Sequence, residues 1–165
     1  GSEMCIRDSF GICLGMQVAV IEFARNVLGI ERATSSEFEP DSAHAVIHLM
    51  PDQEGKQMGG TMRLGAYPCR IADDSLMKAA YGTDFVSERH RHRYEFNNDY
   101  RSSVEREGMR ITGTSPDGLL VETVEIPSND FFVGVQFHPE FKSRPNRAHP
   151  LFREFVAASL RHKKN

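Results

Sequence analysis

A cysteine between two glycines is the first pattern in the sequence that could carry out chemistry. The stretch "FGICLGMQ" places Cys13 immediately before a run of apolar residues at helical spacing. A G-x-C-x-G stretch of this kind is the thiol form of a nucleophile held on a strained strand-to-helix turn. A thiol at a helix N-terminus also meets the positive end of the helix dipole, which favours the thiolate. The alternative is that Cys13 is a small apolar residue packed in a tight turn, so a base is needed to decide between the two.

A candidate base and its partner occur in "VQFHPEF", where His138 and Glu140 follow a short apolar strand. In an extended segment, residues i and i+2 project to the same side, and Pro139 fixes the φ angle between them. The Glu140 carboxylate can therefore orient the His138 imidazole. With Cys13 these residues form a complete nucleophile, base and carboxylate set. The alternative reading is a strand-end histidine followed by a solvated charge.

The composition indicates one soluble domain. The chain has 165 residues, 39% of them hydrophobic and 26% charged, with a formal net charge of −3. This charge gives no reason to expect a nucleic acid or an anionic membrane as partner. No apolar run approaches the roughly 20 residues that span a bilayer, and a cytoplasmic location fits. The three cysteines, Cys5, Cys13 and Cys69, are sparse and lack CxxC spacing, so neither a disulfide framework nor a zinc site is predicted.

Hydrophobic periodicity predicts alternating helices and strands. Apolar positions at helical spacing predict a helix from about Leu14 to Leu28, with Gly29 at its C-cap. Further predicted elements are strands in "AVIHLM", "TMRLGAYPCRI" and "FFVGVQF", an extended segment in "DFVSERHRHRYEFN", a hairpin in "GMRITGTSPDGLLVETVEI", and helices in "SLMKAAYG" and "HPLFREFVAASLRHKK". The stretches "TSSEFEPDS" and "PDQEGKQMGG" are predicted to be loops. This mixture predicts a layered α/β domain.

Residues 1–9, "GSEMCIRDS", are interpreted as a non-native leader. Gly-Ser is typical of the scar that a cleaved tag leaves, and the segment is polar where an apolar strand is expected. The predicted domain therefore comprises residues 10–165.

The two motifs together resemble the class I (triad) glutamine amidotransferases, with Cys13, His138 and Glu140 at the positions of the catalytic triad. The segments "GICLGMQ", "TSSEF", "GGTMRLGAYP", "ERHRHRYEFN", "VQFHPEF" and "HPLFREFV", in this order, are similar to the C-terminal glutaminase domain of the CTP synthase family. The resemblance covers residues 10 to about 160. It implies a flavodoxin-like α/β fold from which the N-terminal strands are missing, so this chain is expected to be a partial domain.

The resemblance implies that the side-chain amide of L-glutamine is hydrolysed through a cysteine thioester, supplying ammonia for the ATP-dependent amination of UTP to CTP. It also implies glutamine contacts from six residues: Leu14, Gly15, Met16, Gln17, Glu37 and Arg93. Glu37 suits the α-ammonium group of an amino acid, and Arg93 suits its α-carboxylate. The backbone N–H of Leu14 is expected to serve in the oxyanion hole.

The resemblance also sets expectations for cofactors and partners. No cofactor is expected in this chain, because ATP and magnesium belong to an amidoligase domain that it does not contain. That domain is the expected partner, in a homo-oligomer when the protein is complete. The family's upstream glycine-rich loop, which gives a second oxyanion N–H, is also missing from the sequence, so weak activity is expected.

Several alternatives remain open. A free-standing thiol hydrolase of γ-glutamyl compounds would use the same triad, and a catalytically silent domain for assembly or effector binding would retain only the fold. The run "RHRHR", Arg89 to Arg93, could contact nucleic acid, but it is short and has no interleaved aromatic residues. A metal at His90, His92 and His138 is disfavoured because neighbouring arginines repel a cation.

Overall fold

A computed structural model of the chain describes residues 8–49 and 62–162. Most of the predicted leader, with Cys5, and the predicted loop "PDQEGKQMGG" lie outside these ranges. The strands are β1 (Ser9–Ile12), β2 (Thr34–Ser35), β3 (Ala45–Leu49), β4 (Arg63–Ile71), β5 (Phe85–His92), β6 (Tyr94–Phe96), β7 (Arg110–Thr114), β8 (Val121–Glu125) and β9 (Phe132–Val135). The α-helices are α1 (Leu14–Asn26), α2 (Leu76–Tyr81), α3 (Arg101–Arg106) and α4 (Pro150–His162), and 3₁₀ turns form at Asn98–Tyr100 and Pro139–Lys142.

The strands form two sheets. The larger has six strands in the order β1-β9-β8-β7-β4-β5, and the smaller has the order β2-β3-β6. In the larger sheet β1 and β9 run parallel, whereas the other neighbouring pairs are antiparallel. A parallel pair places the carboxyl ends of both strands at the same edge of the sheet. The residues that follow β1 and β9 are therefore brought together.

Helices cover both faces of the large sheet. The buried stripe of α1 includes Met16, Val20 and Phe23, and it packs with the small sheet and Val104 of α3 into one hydrophobic cluster. A second cluster contains residues of α2 and α4, such as Met77 and Leu151, together with several residues of β9 and its flanks. The predicted layered α/β architecture is confirmed.

Most predicted elements occur where the sequence pattern placed them. The first long helix ends at Asn26, two residues before the predicted end. The predicted extended segment in "DFVSERHRHRYEFN" divides into β5 and β6, and the short strand β2 and the helical segment 98–106 were not predicted. Strand β1 begins at Ser9, which pairs with Phe132, so the strand starts one residue before the predicted domain boundary. In the part of the chain that the structure describes, no helix has the length and apolar character needed to cross a bilayer.

Candidate active site

Cys13 lies on a sharp turn between β1 and α1. Its φ angle is 51° and its ψ angle is −105°, in a region of backbone space that non-glycine residues rarely adopt. Gly11 makes the turn possible, because a Cβ atom there would lie 2.8 Å from the carbonyl carbon and oxygen of Gly15. The strained backbone and the close approach are the features of a nucleophile elbow.

The parallel pairing of β1 and β9 fixes the neighbourhood of this turn. Ile12, the last residue of β1, is paired with Val135, the last residue of β9. The backbone N–H of Cys13 then donates to the Val135 carbonyl at 2.7 Å. Cys13 and the segment Gln136 to His138 therefore leave the sheet side by side at its carboxyl edge.

Strand β5 contacts both candidate catalytic segments through its free edge. The backbone N–H of His138 donates to the Arg89 carbonyl at 2.8 Å. The Cys13 Sγ lies 4.0 Å from the Arg91 carbonyl oxygen, at the outer limit for a thiol hydrogen bond. Carbonyls two residues apart point to the same side of a strand and are separated by about 6.6 Å. The Cys13 thiol and the His138 backbone thus lie at neighbouring carbonyls on one edge of β5.

The His138 imidazole is held by Glu140. Its Nδ1 lies 2.6 Å from the Glu140 Oε1, while its Nε2 is buried and forms no hydrogen bond within the described residues. Nε2 is therefore the His138 nitrogen that can take up or give a proton, since Nδ1 contacts Glu140. The predicted extended geometry of this segment is wrong, because Pro139–Lys142 forms a 3₁₀ turn with the proline at its start. The turn still brings the two side chains together.

Burial raises the pKa of the Cys13 thiol above its ordinary value. The backbone N–H of Leu14 and the side chain of Gln136 oppose this effect by hydrogen bonding, and the charges of Glu140 and Glu95 reinforce it. The stabilising effect expected from the helix N-terminus is therefore present but smaller than the cost of desolvation. In this state the thiol form is favoured, so the attacking thiolate requires a base.

A buried carboxylate clamps the 3₁₀ turn to β5. Glu88 is fully buried, and its Oε1 accepts hydrogen bonds from Lys142 at 3.1 Å and from Tyr81 at 3.0 Å. The Lys142 ammonium also donates to the Ser87 carbonyl at 2.7 Å. Although burial favours the neutral acid, His149 and Lys142 hold the pKa of Glu88 below its ordinary value. The turn that carries Glu140 is consequently fixed to the same strand as the His138 backbone.

The residues predicted to contact glutamine differ in the exposure of their side chains. Met16 is completely buried and Gln17 nearly so, whereas the Leu14 side chain is exposed. Gly15 has no heavy atom near its Cβ direction, so a substrate can approach there. The Met16 side chain packs in the hydrophobic core, and only its backbone can contact a substrate.

Glu37 and Arg93 occupy separate loops. Glu37 is exposed after β2, and its backbone N–H donates to the Ser35 hydroxyl. Arg93 is half-buried between β5 and β6, two residues beyond the carbonyl that Cys13 approaches.

Sequence reasoning did not identify the buried ionic cluster behind the site. Arg63 bridges Glu95 at 3.2 Å and Glu122 at 2.7 Å, and all three side chains are at most 7% exposed. Next to it, the Nδ1 of His90 lies 2.7 Å from the Nε2 of His92. Burial and the Arg63 charge lower the pKa of His90 to about 2 and that of His92 to about 3. The alternation of "RHRHR" was the available signal, because it buries both histidines and exposes Arg89 and Arg91.

In the described ranges, no group of three or more histidine, cysteine or acidic side chains is arranged to hold a metal ion. His90 and His92 instead form a hydrogen bond with each other.

Three comparisons relate the chain to known proteins. A family model described as "Glutamine amidotransferase class-I" matches residues 7–158. The chain is 59% identical over 157 residues to CTP synthase from Staphylococcus aureus strains JH9 and Newman, covering 94% of this chain and 29% of each relative. The Trypanosoma brucei CTPS glutaminase domain with bound acivicin is similar in structure, with a TM-score of 0.88, 43% identity, and coverage of 93% of this chain and 60% of that one.

A more distant structure shares only the fold. A putative GMP synthase component from Thermoplasma acidophilum has a TM-score of 0.58 and 13% identity, covering 95% of this chain and 59% of its own. The chain spans less than a third of the length of its curated relatives.

Proposed function

The chain belongs to the class I glutamine amidotransferase family, and from this premise we propose that it hydrolyses the side-chain amide of L-glutamine with Cys13 as nucleophile. The observation that carries the proposal is the placement of the strained Cys13 turn and the His138–Glu140 pair on one edge of β5. A strained cysteine nucleophile and an imidazole oriented by a carboxylate are the components that thiol-dependent amide hydrolysis uses.

In the proposed first step His138 takes the thiol proton and the Cys13 sulfur attacks the carboxamide carbon. A C–S bond forms, and the carbonyl oxygen becomes an oxyanion next to the Leu14 N–H. The tetrahedral intermediate collapses when the C–N bond breaks and the His138 imidazolium gives its proton to the departing ammonia. The product of this step is a γ-glutamyl thioester on Cys13.

In the second step His138 takes a proton from water, and the resulting hydroxide attacks the thioester carbonyl. The C–S bond breaks, glutamate leaves, and the proton returns to the Cys13 sulfur. Glu140 remains ionised throughout and stabilises the imidazolium at Nδ1.

The recognition of glutamine is proposed to rest on its amino-acid head group. The half-buried Arg93 guanidinium can bind the α-carboxylate through two parallel hydrogen bonds, and Glu37 can pair with the α-ammonium. The open space at Gly15 and the nearby backbone of Leu14 and Met16 can line the site.

We further propose that the ammonia serves the amination of UTP to CTP. The support is the 59% identity to CTP synthases over nearly all of this chain. The ATP, magnesium and UTP of that reaction would bind a separate amidoligase domain, and the assembled protein is proposed to be a homo-oligomer.

The proposal is tested by steady-state release of glutamate from L-glutamine. The variant C13A is expected to lose all measurable turnover, because no other group replaces the thiolate. The matched control is C69A, since Cys69 is fully buried in β4 and is not expected to contact substrate. Measurable turnover by C13A at the same rate as C69A would contradict the assignment.

A further inference from the structure

Two buried amides connect the backbone of β6 to the sulfur of Cys13. The Gln17 Nε2 donates to the Tyr94 carbonyl at 3.0 Å and to the Gln136 Oε1 at 3.1 Å. The Gln136 Nε2 then donates to the Cys13 Sγ at 3.7 Å, within the range for a sulfur acceptor. Gln136 is completely buried and Gln17 is 3% exposed, so water does not compete for these bonds. The three hydrogen bonds form a continuous series that ends on the Cys13 sulfur.

The Tyr94 carbonyl fixes the donor-to-acceptor direction of these three hydrogen bonds. A backbone carbonyl can only accept a hydrogen bond, so the Gln17 amide must turn its NH₂ group toward Tyr94. The same NH₂ group donates to Gln136, which must therefore present its oxygen to Gln17. The remaining NH₂ group of Gln136 then faces Cys13. The Tyr94 carbonyl thus ensures that a donor, and not an acceptor, meets the sulfur.

We propose that Gln136 is a catalytic residue whose amide N–H stabilises the Cys13 thiolate, in an orientation imposed by Gln17 and the Tyr94 carbonyl. Hydrogen bonds to an ionised acceptor are stronger than those to a neutral one, so the contact favours the thiolate over the thiol. This proposal rests on the nucleophilic role of Cys13 proposed above. It assigns Gln17 a positioning role in addition to its expected contact with substrate.

The electrostatic surroundings of the sulfur explain why such a donor is needed. Burial and the charges of Glu140 and Glu95 disfavour the thiolate, whereas the Leu14 N–H and Gln136 favour it. Leu14 is also expected to stabilise the oxyanion. Within the described residues, Gln136 supplies a side-chain donor to the sulfur.

The test is the pH dependence of Cys13 alkylation by iodoacetamide in the intact chain without glutamine, with Cys13 followed by peptide mapping. The variant Q136M removes the donor at nearly constant volume. The alkylation midpoint is expected to rise by about one pH unit, so that the rate below the midpoint falls about tenfold. The matched control is T112V, which removes the buried Thr112–Thr123 hydrogen bond of the same sheet and is expected to leave the midpoint unchanged.

A second variant tests the orienting role of Gln17. In Q17M the Gln136 amide loses its anchor, so a smaller rise is expected, and the double variant should match Q136M alone because Gln17 acts through Gln136. A midpoint that stays at the wild-type value in Q136M overturns the proposal, as does a shift of equal size in T112V. If the midpoints shift as expected but no variant or parent hydrolyses glutamine, the proposed function fails and the thiolate assignment stands.

Discussion

At the scale of single residues, the backbone conformation and the burial of each side chain matter to the site as much as its residue type. Two of the three cysteines lie in the described ranges, and they differ sharply. Cys13 lies half-buried on a strained turn, whereas Cys69 is fully buried and desolvation raises its pKa to about 12. The sequence already separates them, since only Cys13 lies between two glycines at the start of a predicted helix, and its role as nucleophile stays a prediction.

Arg93 provides the first prediction. Replacing it with alanine in R93A is expected to lower kcat/KM for glutamine by about 2–5 kcal/mol of transition-state binding, mainly through a higher KM, because the α-carboxylate loses a desolvated partner. The measurement is steady-state glutamine hydrolysis. The matched control is R91A, which removes an exposed guanidinium two residues away and should leave KM nearly unchanged.

Iodoacetamide alkylation of Cys13 separates binding from chemistry in R93A. Its rate should remain that of the parent chain, because the reagent has no carboxylate. An unaltered glutamine KM in R93A would remove Arg93 from the substrate site.

At the scale of elements, strand β5 organises the site. Its free edge contacts both the Cys13 turn and the His138 backbone, and its buried carboxylate Glu88 fixes the turn that follows. The sequence predicted an extended segment in "DFVSERHRHRYEFN", and in β5 the alternate residues Glu88, His90 and His92 are buried. It could not predict which distant segments this edge contacts, since contacts between residues 78 positions apart leave no local pattern.

The contact between β1 and α1 provides the second prediction. In G11A the new methyl group would meet backbone atoms of Gly15 and Met16 at 2.8–2.9 Å, and backbone cannot move aside as a flexible side chain can. We expect a loss of about 1–3 kcal/mol in the free energy of unfolding, measured by urea denaturation. The matched control is G15A, where nothing lies within 4 Å and higher helix propensity should leave stability equal or raised. Equal stability of the two variants would show that the turn tolerates a side chain.

The buried histidines of β5 provide the third prediction. Their pKa values fall from an ordinary 6.5 to about 2 for His90 and about 3 for His92. Below pH 6.5 the unfolded chain therefore binds protons that the folded chain does not, and stability falls as the pH falls. Each histidine contributes a slope of at most about 1.4 kcal/mol per pH unit.

Urea denaturation between pH 6.5 and about 5 tests this expectation, a window that lies above the ordinary carboxyl range. The variant H90Q should show a shallower decline than the parent chain. The control H44Q changes an exposed histidine and should keep the parental slope. If stability falls with pH equally steeply in H90Q and H44Q, then His90 takes up its proton at the same pH in the folded and unfolded states, and its pKa is not lowered.

At the scale of the whole molecule, the sequence predicted the layers, most elements and the His138–Glu140 pair. These features follow from periodicity, turn residues and short motifs, which are local. The ionic cluster of Arg63, Glu95 and Glu122 was not predicted, because its members come from three strands and each resembles an ordinary surface charge in the sequence. Gln136 was overlooked for a related reason: within the apolar strand "FFVGVQF" its single amide gives no sign of the partner it meets.

The proposed mechanism requires that Cys13 forms a γ-glutamyl thioester with glutamine. The most direct measurement is to quench the chain in acid during turnover, digest it, and map the γ-glutamyl group by mass spectrometry. We expect the group on the peptide that carries Cys13, its release by hydroxylamine, and an unmodified Cys69 peptide. Glutamate accumulation at a steady rate with no adduct on Cys13, or with the adduct on another residue, would contradict the proposed role of Cys13.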